Sequence, residues 1–370
     1  KALSTDTTGR YCVAIGHGAL ENQAFTGSQE AYNVAVGYAA GNDITTGLYN
    51  VLIGGLAGDA ITTGSYNIAI GKGALSTEDG DGKNVAIGHE ALLVQNAGAD
   101  AYNVAVGYAA GAAVTTGIYN TLIGGKAGDA LTTGNANVAI GQDALGAEDT
   151  GSDSIAIGRN ALAAQNYDGS AYNIGIGRAA GKAVTTGTAN TIMGGLAGDA
   201  LTTGYGNVAV GYNALSTEDT GGTNVAIGHA ALQVLDAGAN SYSVAIGYDA
   251  GKAISTGIRN TIVGGDSGKA ITTGSYNTVF GSHALLTEDT GGANTAIGYA
   301  ALNALNYDGL GYNVAVGHEA GAVMTTGQYN VLLGSKAGDV LTTGSANIAI
   351  GQDALGGEDA HGRNVAIGHE

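Results

Sequence analysis

The stretch AYNVAVGYAAG, Ala31 to Gly41, returns at residue 101 and, with small changes, at residues 171, 241 and 311. Its centre is an apolar triplet closed by a glycine, Val34 to Gly37, which we call the anchor glycine. Twenty-one such triplets occur, and after the first gap their anchor glycines follow at spacings of 17, 17, 17 and 19 residues, which add to 70. The chain is therefore a short repeat within a 70-residue supercycle, and this periodicity decides the fold.

A unit of 17 to 19 residues with one apolar segment of period two and glycine-rich corners predicts one coil of a parallel β-solenoid. Helical repeats need longer units and apolar residues at i, i+3 and i+4. The absence of proline agrees, because every coil must donate backbone N–H groups to its neighbour. We expect an all-β rod of about 21 coils in a single domain over residues 1–370, with supercycles near 31–100, 101–170, 171–240, 241–310 and 311–370.

Asparagine stands four residues before the anchor glycine in all units except those with Cys12, Ser154 and Ser243. We call this position the ladder column. Stacked asparagine amides can bond along a solenoid and to turn backbone, so this column predicts a structural ladder at one corner. Its first members are Asn33, Asn50, Asn67, Asn84, Asn103, Asn120 and Asn137.

The triplet itself is apolar on both sides. In Val34, Ala35 and Val36 the two valines share one face, and we predict that they fill the coil interior. The middle residue of each triplet is never polar, and strands that are apolar on both faces are normally covered on both. We therefore expect the middle column to be an inter-chain face in a parallel homotrimer, formed by residues that include Ala35, Leu52, Ala69, Ala86, Leu122, Ile192, Ile262 and Leu332. A monomer with an alanine-coated face is the alternative.

Units such as KNVAIGHEAL (Lys83 to Leu92), TNVAIGHAAL (Thr223 to Leu232) and RNVAIGHE (Arg363 to Glu370) resemble the repeats in the heads of YadA-like trimeric autotransporter adhesins. They are also similar to repeats in bacteriophage tail fibres. The resemblance implies a trimeric, left-handed parallel β-roll with a surface-exposed role. The coils here are longer than is usual in that family, and the serine that follows its asparagine is missing. Neither a coiled-coil stalk nor a membrane anchor is present in the sequence, so the resemblance leaves the bacterial and the phage setting open.

The amino-acid composition limits the classes of partner that we expect this chain to bind. Acidic residues outnumber basic ones 31 to 13, for a net charge of −18, so nucleic acid is not expected to bind. No apolar run is long enough to predict membrane insertion of this segment. Cys12 is the only cysteine and forms no disulfide within the chain. Because the sequence starts without methionine and stops inside a repeat, we expect a segment of a longer fibre.

Histidines and acidic pairs are the candidate chemical groups. His17, His89, His229 and His369 directly follow anchor glycines but lie at least four coils apart, too far to share a metal within one chain. Arg159 occupies the equivalent position in another coil, which favours ordinary variation among surface residues. A metal site formed by three equivalent histidines around a trimer axis is the alternative. The pairs Glu78–Asp79, Glu148–Asp149, Glu218–Asp219, Glu288–Asp289 and Glu358–Asp359 predict solvated corners, with calcium binding or a carboxylate dyad as alternatives.

Together these features predict a structural fibre segment of a surface adhesin or phage tail fibre, located outside the cell or on a virion. Such a segment acts as a spacer or as a repetitive attachment surface for a cell-surface glycan or protein receptor. We expect no catalytic residues, no cofactor and no resident metal. The alternatives are an ice-binding solenoid, suggested by threonine pairs such as Thr45–Thr46, and a glycan-cleaving tailspike enzyme.

Overall fold

The computed structural model describes residues 1–80, 82–357 and 359–369. It divides into two compact units, Lys1–Gly187 and Thr188–Glu370. The described residues contain no helix and form about 21 turns of a parallel β-solenoid with a spacing of about 17 residues, which confirms the predicted fold class. Each turn contributes one strand of three residues, and the rest of the turn consists of bends and tight turns.

The strands follow the apolar triplets residue for residue. The first unit contains β1 (Gly9–Arg10), β2 (Val13–Ile15), β3 (Gln29–Glu30), β4 (Val34–Val36), β5 (Val51–Ile53), β6 (Ile68–Ile70), β7 (Val85–Ile87), β8 (Val104–Val106), β9 (Thr121–Ile123), β10 (Val138–Ile140), β11 (Ile155–Ile157) and β12 (Ile174–Ile176). The second contains β13 (Thr191–Met193), β14 (Val208–Val210), β15 (Val225–Ile227), β16 (Val244–Ile246), β17 (Thr261–Val263), β18 (Thr278–Phe280), β19 (Thr295–Ile297), β20 (Val314–Val316), β21 (Val331–Leu333), β22 (Ile348–Ile350) and β23 (Val365–Ile367).

Within each unit, consecutive triplet strands pair in parallel and in exact register. Ala35 of β4 lies opposite Leu52 of β5, and Leu52 lies opposite Ala69 of β6. Equivalent residues of the repeat therefore stack directly above one another, so a column in the sequence is also a column in space. The short strands β1 and β3 form a separate two-stranded parallel sheet near the start of the chain.

The anchor glycine ends each strand because no other residue fits there. Gly54 has a φ of +136°, and a Cβ at this position would lie 2.6 Å from the carbonyl carbon of Gly71 in the next coil. Such a φ is strained for any residue with a side chain, and the close approach of two backbones leaves no room for one. The strict repetition of this glycine is thus explained by stacking geometry.

The asparagine column forms a continuous hydrogen-bonded ladder within each unit. The Oδ1 of Asn33 accepts a hydrogen bond from the backbone N–H of Asn50 at 2.9 Å, and Asn50 accepts one from Asn67 in the same way. The pattern continues through Asn84, Asn103, Asn120 and Asn137. Most of these side chains also donate from Nδ2 to a glycine carbonyl of the next coil, as Asn120 does to Gly134 at 2.9 Å. All are fully buried, so they satisfy backbone groups that water cannot reach.

Two breaks in the ladder column are filled from the coil interior. Gln165 donates a hydrogen bond from Nε2 to the hydroxyl of Ser154 at 2.8 Å, and Gln23 donates one to the sulfur of Cys12 at 3.3 Å. Elsewhere the ladder is less complete: Asn84 and Asn224, each directly before a 19-residue step, have no hydrogen-bond partner for Nδ2. Ser154 lies at the same point of its supercycle and carries no amide that would need one.

The prediction of which face is inside is wrong. Ala35, Leu52, Ala69, Ala86, Leu122, Ile192, Ile262 and Leu332 are all fully buried within a single chain, so they cannot form an inter-chain face. The flanking valines and isoleucines point outward instead. The physical reason lies in the ladder: asparagine and the middle residue are two positions apart, and side chains two apart in a strand share a face. Burying the asparagine amide therefore places the small middle residue in the interior as well.

The larger middle residues fill space left by glycines. A Cβ on Gly41 would lie 2.6 Å from Cδ1 of Leu52, and one on Gly58 would lie 2.8 Å from Cδ2 of the same leucine. Where the middle residue is Ala69 or Ala86, the position of these glycines is taken by buried leucines. The interior volume is therefore held constant by exchanging large and small residues between two columns, as close packing demands.

The adjacent residues Leu122 and Ile123 provide a matched test of this orientation. Leu122 is fully buried, whereas Ile123 is 37% exposed. Leu122→Asp should lower the free energy of unfolding by about 4 kcal/mol or more, because it buries an unpaired carboxylate. Ile123→Asp should leave the coil folded. Thermal and urea unfolding followed by circular dichroism measures both, and equal losses of stability would contradict the assigned orientation.

Candidate functional site

The outer face of the strands is an apolar stripe. It consists of the first and last residues of each triplet, and none of these positions carries a charged residue. Many of the side chains are well exposed, including Ile53 at 38%, Met193 at 40% and Phe280 at 42%. We call this surface the strand face. The last residue of the triplet is apolar in every coil, and the first is valine or isoleucine except at Thr121, Thr191, Thr261, Thr278 and Thr295, so exposed apolar side chains recur along each unit.

Stacked aromatic rings border the strand face on the side where each strand begins. Tyr11, Tyr32, Tyr49 and Tyr66 stand five residues before successive anchor glycines, and their rings stack in series with centroids 5.0, 5.5 and 5.0 Å apart. Further stacked pairs join Tyr102 to Tyr119 and Tyr312 to Tyr329 in the same column. These rings are 41–61% exposed. We call this series the tyrosine column.

A second aromatic column borders the side where each strand ends, directly after the anchor glycine. His17 stacks on Tyr38 at 5.8 Å, and His89 stacks on Tyr108 at 5.6 Å. His229 lies between Tyr212 and Tyr248, and His318 stacks on Tyr299. Three of the four histidines singled out from the sequence, His17, His89 and His229, are thus members of a histidine–tyrosine column on the surface. The sequence analysis did not predict either aromatic column. Both could have been predicted from the constant spacing between the tyrosines and the anchor glycine.

The glutamates of the acidic pairs are not in solvated corners, and that prediction is wrong for them. Glu78, Glu148, Glu218 and Glu288 are fully buried, whereas the aspartate that follows each one is not. They occupy the interior column in which neighbouring coils place residues such as Ile44 and Ile61. Glu358 of the fifth pair lies outside the described residues. The sequence predicted that both members of each pair lie in solvated corners, whereas in the first four pairs only the aspartates keep contact with solvent.

The buried glutamates accept hydrogen bonds from the corner backbone. Glu148 accepts from the N–H of Gly151 at 2.8 Å and from Nε2 of Gln165 at 3.0 Å. Glu288 accepts from the N–H of Gly291 at 2.7 Å and from that of Tyr307 at 3.3 Å. Burial raises the pKa of Glu288 above its usual value, and these backbone hydrogen bonds only partly oppose the effect. The Glu288 carboxylate therefore closes its corner at an electrostatic cost.

One buried aspartate is neutralised by lysines. The side chain of Asp249 is 3% exposed, and it lies 3.2 Å from Nζ of Lys252 and 3.0 Å from Nζ of Lys269. Burial by itself would raise the pKa of Asp249, but the hydrogen bonds from the two lysines outweigh it and the pKa is lowered. At this position the charge of a buried carboxylate is therefore balanced by two neighbouring lysines.

Among the described residues, one group of three acidic side chains could hold a metal ion: Glu218, Asp219 and Asp236, whose ligand oxygens lie within 4.8 Å of one another. No group of this kind among them contains a histidine. The threonine pairs do not present free hydroxyls throughout. The hydroxyls of Thr62 and Thr132, for example, donate to the carbonyls of Asp79 and Asp149 in the next coil.

Comparison with protein-family models finds no matching family, and comparison with curated proteins finds no significant relative. In the part of the chain that the structure describes, no helix is long and apolar enough to cross a membrane.

The raised pKa of Glu288 predicts a pH dependence of stability. The folded chain holds this proton more tightly than the unfolded chain, so the stabilising contribution is present below the unfolded pKa of about 4.3 and is lost as the pH rises through the folded pKa. The unfolding temperature of the wild type should therefore fall, relative to that of Glu288→Gln, as the pH rises above the unfolded pKa of about 4.3. Differential scanning calorimetry measures it. Glu30→Gln, at an exposed position, controls for net charge, and parallel pH profiles of wild type and Glu288→Gln would contradict the prediction.

Proposed function

We propose that this chain is a structural segment of a surface-exposed fibre, in which parallel copies associate laterally through the strand face. The observation that carries the proposal is the strand face itself: no charged residue occupies either column in any coil, the last column is apolar throughout, and the first is valine or isoleucine in all but five coils, which carry threonine. A chain with a net charge of −18 has ample polar residues for its surface, yet none of the charge lies in these columns. Apolar surface of such extent favours burial against another protein surface.

A homotrimer is the association we favour. The in-register coils of one chain present the same side chains at the same height as those of a second, parallel chain, so contacts made in one coil recur in the next. Three chains around an axis give a closed arrangement in which every strand face is covered. The proposal keeps the trimer expected from the sequence but moves the contact from the middle column to the flanking valines and isoleucines.

The aromatic columns support an attachment role as a second, compatible function. Tyrosine presents a large apolar ring together with a hydroxyl, and it is enriched at binding interfaces. In the tyrosine column the rings are already ordered by stacking, so a ligand that lies on them pays little further conformational entropy. The apolar faces of sugar rings fit such a platform, which makes a cell-surface glycan our first candidate and a protein receptor the second.

The setting that fits these roles is the surface of a cell or a virion, as in the adhesin heads and phage fibres that the repeats resemble. We favour a structural role over catalysis because the buried glutamates Glu148 and Glu288 accept hydrogen bonds from the backbone of their own corners. An ice-binding role is less well supported, since threonine hydroxyls such as those of Thr62 and Thr132 already bond to backbone carbonyls.

The oligomeric state tests the fibre proposal. Multi-angle light scattering should give a mass three times the 36.1 kDa of one chain. The double variant Ile53→Asp and Ile123→Asp should reduce it to that of a monomer with an unchanged circular dichroism spectrum, because charges in a desolvated apolar interface are costly. Thr46→Asp and Thr116→Asp, at exposed positions away from the strand face, form the matched control. A wild-type mass of one chain would remove the basis for lateral association.

Glycan binding tests the attachment role. Labelled protein applied to a glycan array should bind, and the triple variant Tyr32→Ser, Tyr49→Ser and Tyr66→Ser should lose roughly tenfold or more in affinity, since each stacked ring contributes on the order of 1 kcal/mol. The corresponding triple phenylalanine variant keeps the rings and should retain most of the affinity. If the wild type binds no glycan, or if the serine variant binds as well as the wild type, the tyrosine column is not the attachment surface.

A further inference from the structure

Glu218 differs from Glu148 and Glu288 in its hydrogen-bond partners. Its Oε1 accepts a hydrogen bond from the N–H of Gly221 at 2.7 Å, as in the equivalent corners, but its Oε2 is buried without a hydrogen-bond partner. Leu235 stands where Gln165 donates to Glu148 in the preceding supercycle. The backbone N–H of Ala237 opposes the rise in the pKa of Glu218, whereas the equivalent N–H of Tyr307 forms a 3.3 Å hydrogen bond to Oε2 of Glu288. A fully buried carboxylate oxygen without a partner is costly and needs an explanation.

The same corner carries an additional negative charge. The position after the interior column is asparagine in the three equivalent coils, Asn96, Asn166 and Asn306, but it is Asp236 here. Asp236 comes from the coil that follows Asp219, and their carboxylate oxygens and those of Glu218 lie within 4.8 Å of one another. Asp219 is half-buried and Asp236 exposed, so the group opens to solvent on one side.

No cation of the chain offsets this cluster. The charged groups that act on Glu218 are Asp236 and Asp219, and both, together with its burial, raise its pKa. Among the described residues, no lysine, arginine or histidine forms an ion pair with any of the three, in contrast to Asp249 with its two lysines. Three carboxylates at this separation repel one another unless a cation lies between them.

We propose that Glu218, Asp219 and Asp236 bind a calcium ion that links two consecutive coils of the third supercycle. Ca²⁺ takes six to eight oxygen ligands at about 2.3–2.6 Å in flexible geometry, which suits three carboxylates that converge on a corner open to water on one side. Mg²⁺ requires near-ideal octahedral geometry and gives up its water ligands reluctantly, so it is usually held by only one or two carboxylates. The buried Oε2 of Glu218 supplies an oxygen with no other partner, and water completes the coordination from the open side.

Calcium titration of the full chain, after dialysis against a chelator, tests the site. Isothermal titration calorimetry should show one saturable site per chain, and the unfolding temperature should rise with Ca²⁺ as expected for a ligand that binds only the folded state. Mg²⁺ at the same concentration controls for screening of the acidic chain. No saturable binding at millimolar Ca²⁺, or equal shifts with Mg²⁺, would overturn the proposal.

Asp236→Asn is the decisive variant, because it restores the residue found in the three equivalent coils and lies at an exposed position. It should fold normally and weaken Ca²⁺ binding tenfold or more. Asp289→Asn, in the corresponding corner of the next supercycle, should leave binding unchanged. Glu218→Gln should also abolish binding, but the proposal does not depend on that variant folding. Undiminished binding by Asp236→Asn would place the ion elsewhere. Failure of this site leaves the lateral association of the strand faces untouched.

Discussion

The buried asparagine ladder is the interaction on which the rest of this solenoid depends. Each Oδ1 accepts the backbone N–H of the next ladder residue, and Asn120, for example, uses its Nδ2 to bind the carbonyl of Gly134. The corner cannot be hydrated, so these bonds must form inside the chain. Once the asparagine points inward, strand alternation places the middle residue inward and the two flanking residues outward. The exposed strand face is therefore a consequence of satisfying the backbone at the corner.

The interior that results is narrow, and its packing explains the 70-residue supercycle. A coil of this size accommodates one large side chain at a given level, so Leu52 requires Gly41 and Gly58 around it, whereas Ala69 and Ala86 leave room for leucines. The middle residue of the triplet and the residue four positions after the anchor glycine must therefore vary together over several coils. We attribute the 70-residue period to this packing requirement rather than to a function.

Unusual chemical groups occur where one coil carries residues that differ from those of the equivalent coils. The interior glutamates Glu148 and Glu288 accept hydrogen bonds at both carboxylate oxygens and serve the corner. At Glu218, Leu235 replaces the glutamine donor and the adjacent Asp236 adds a charge, so two neighbouring residues of one coil accompany an unsatisfied oxygen and an extra carboxylate. On the outer surface, by contrast, we expect binding to depend on repetition, because stacked rings and apolar columns offer similar contacts in successive coils.

The sequence alone determined the strand positions, the parallel stacking and the ladder, because each depends only on the spacing of residues along the chain. It also contained the alternation that separates Glu288 from Asp289. Only the tertiary structure decided which side of each strand is the interior. Valine and alanine are both apolar, so hydrophobicity could not choose between them; the choice was made by the buried amide of Asn33 two residues from Ala35. Likewise, the placement of Glu218 beside Asp236 required the coils to be stacked, since residues far apart in the sequence meet only across neighbouring turns.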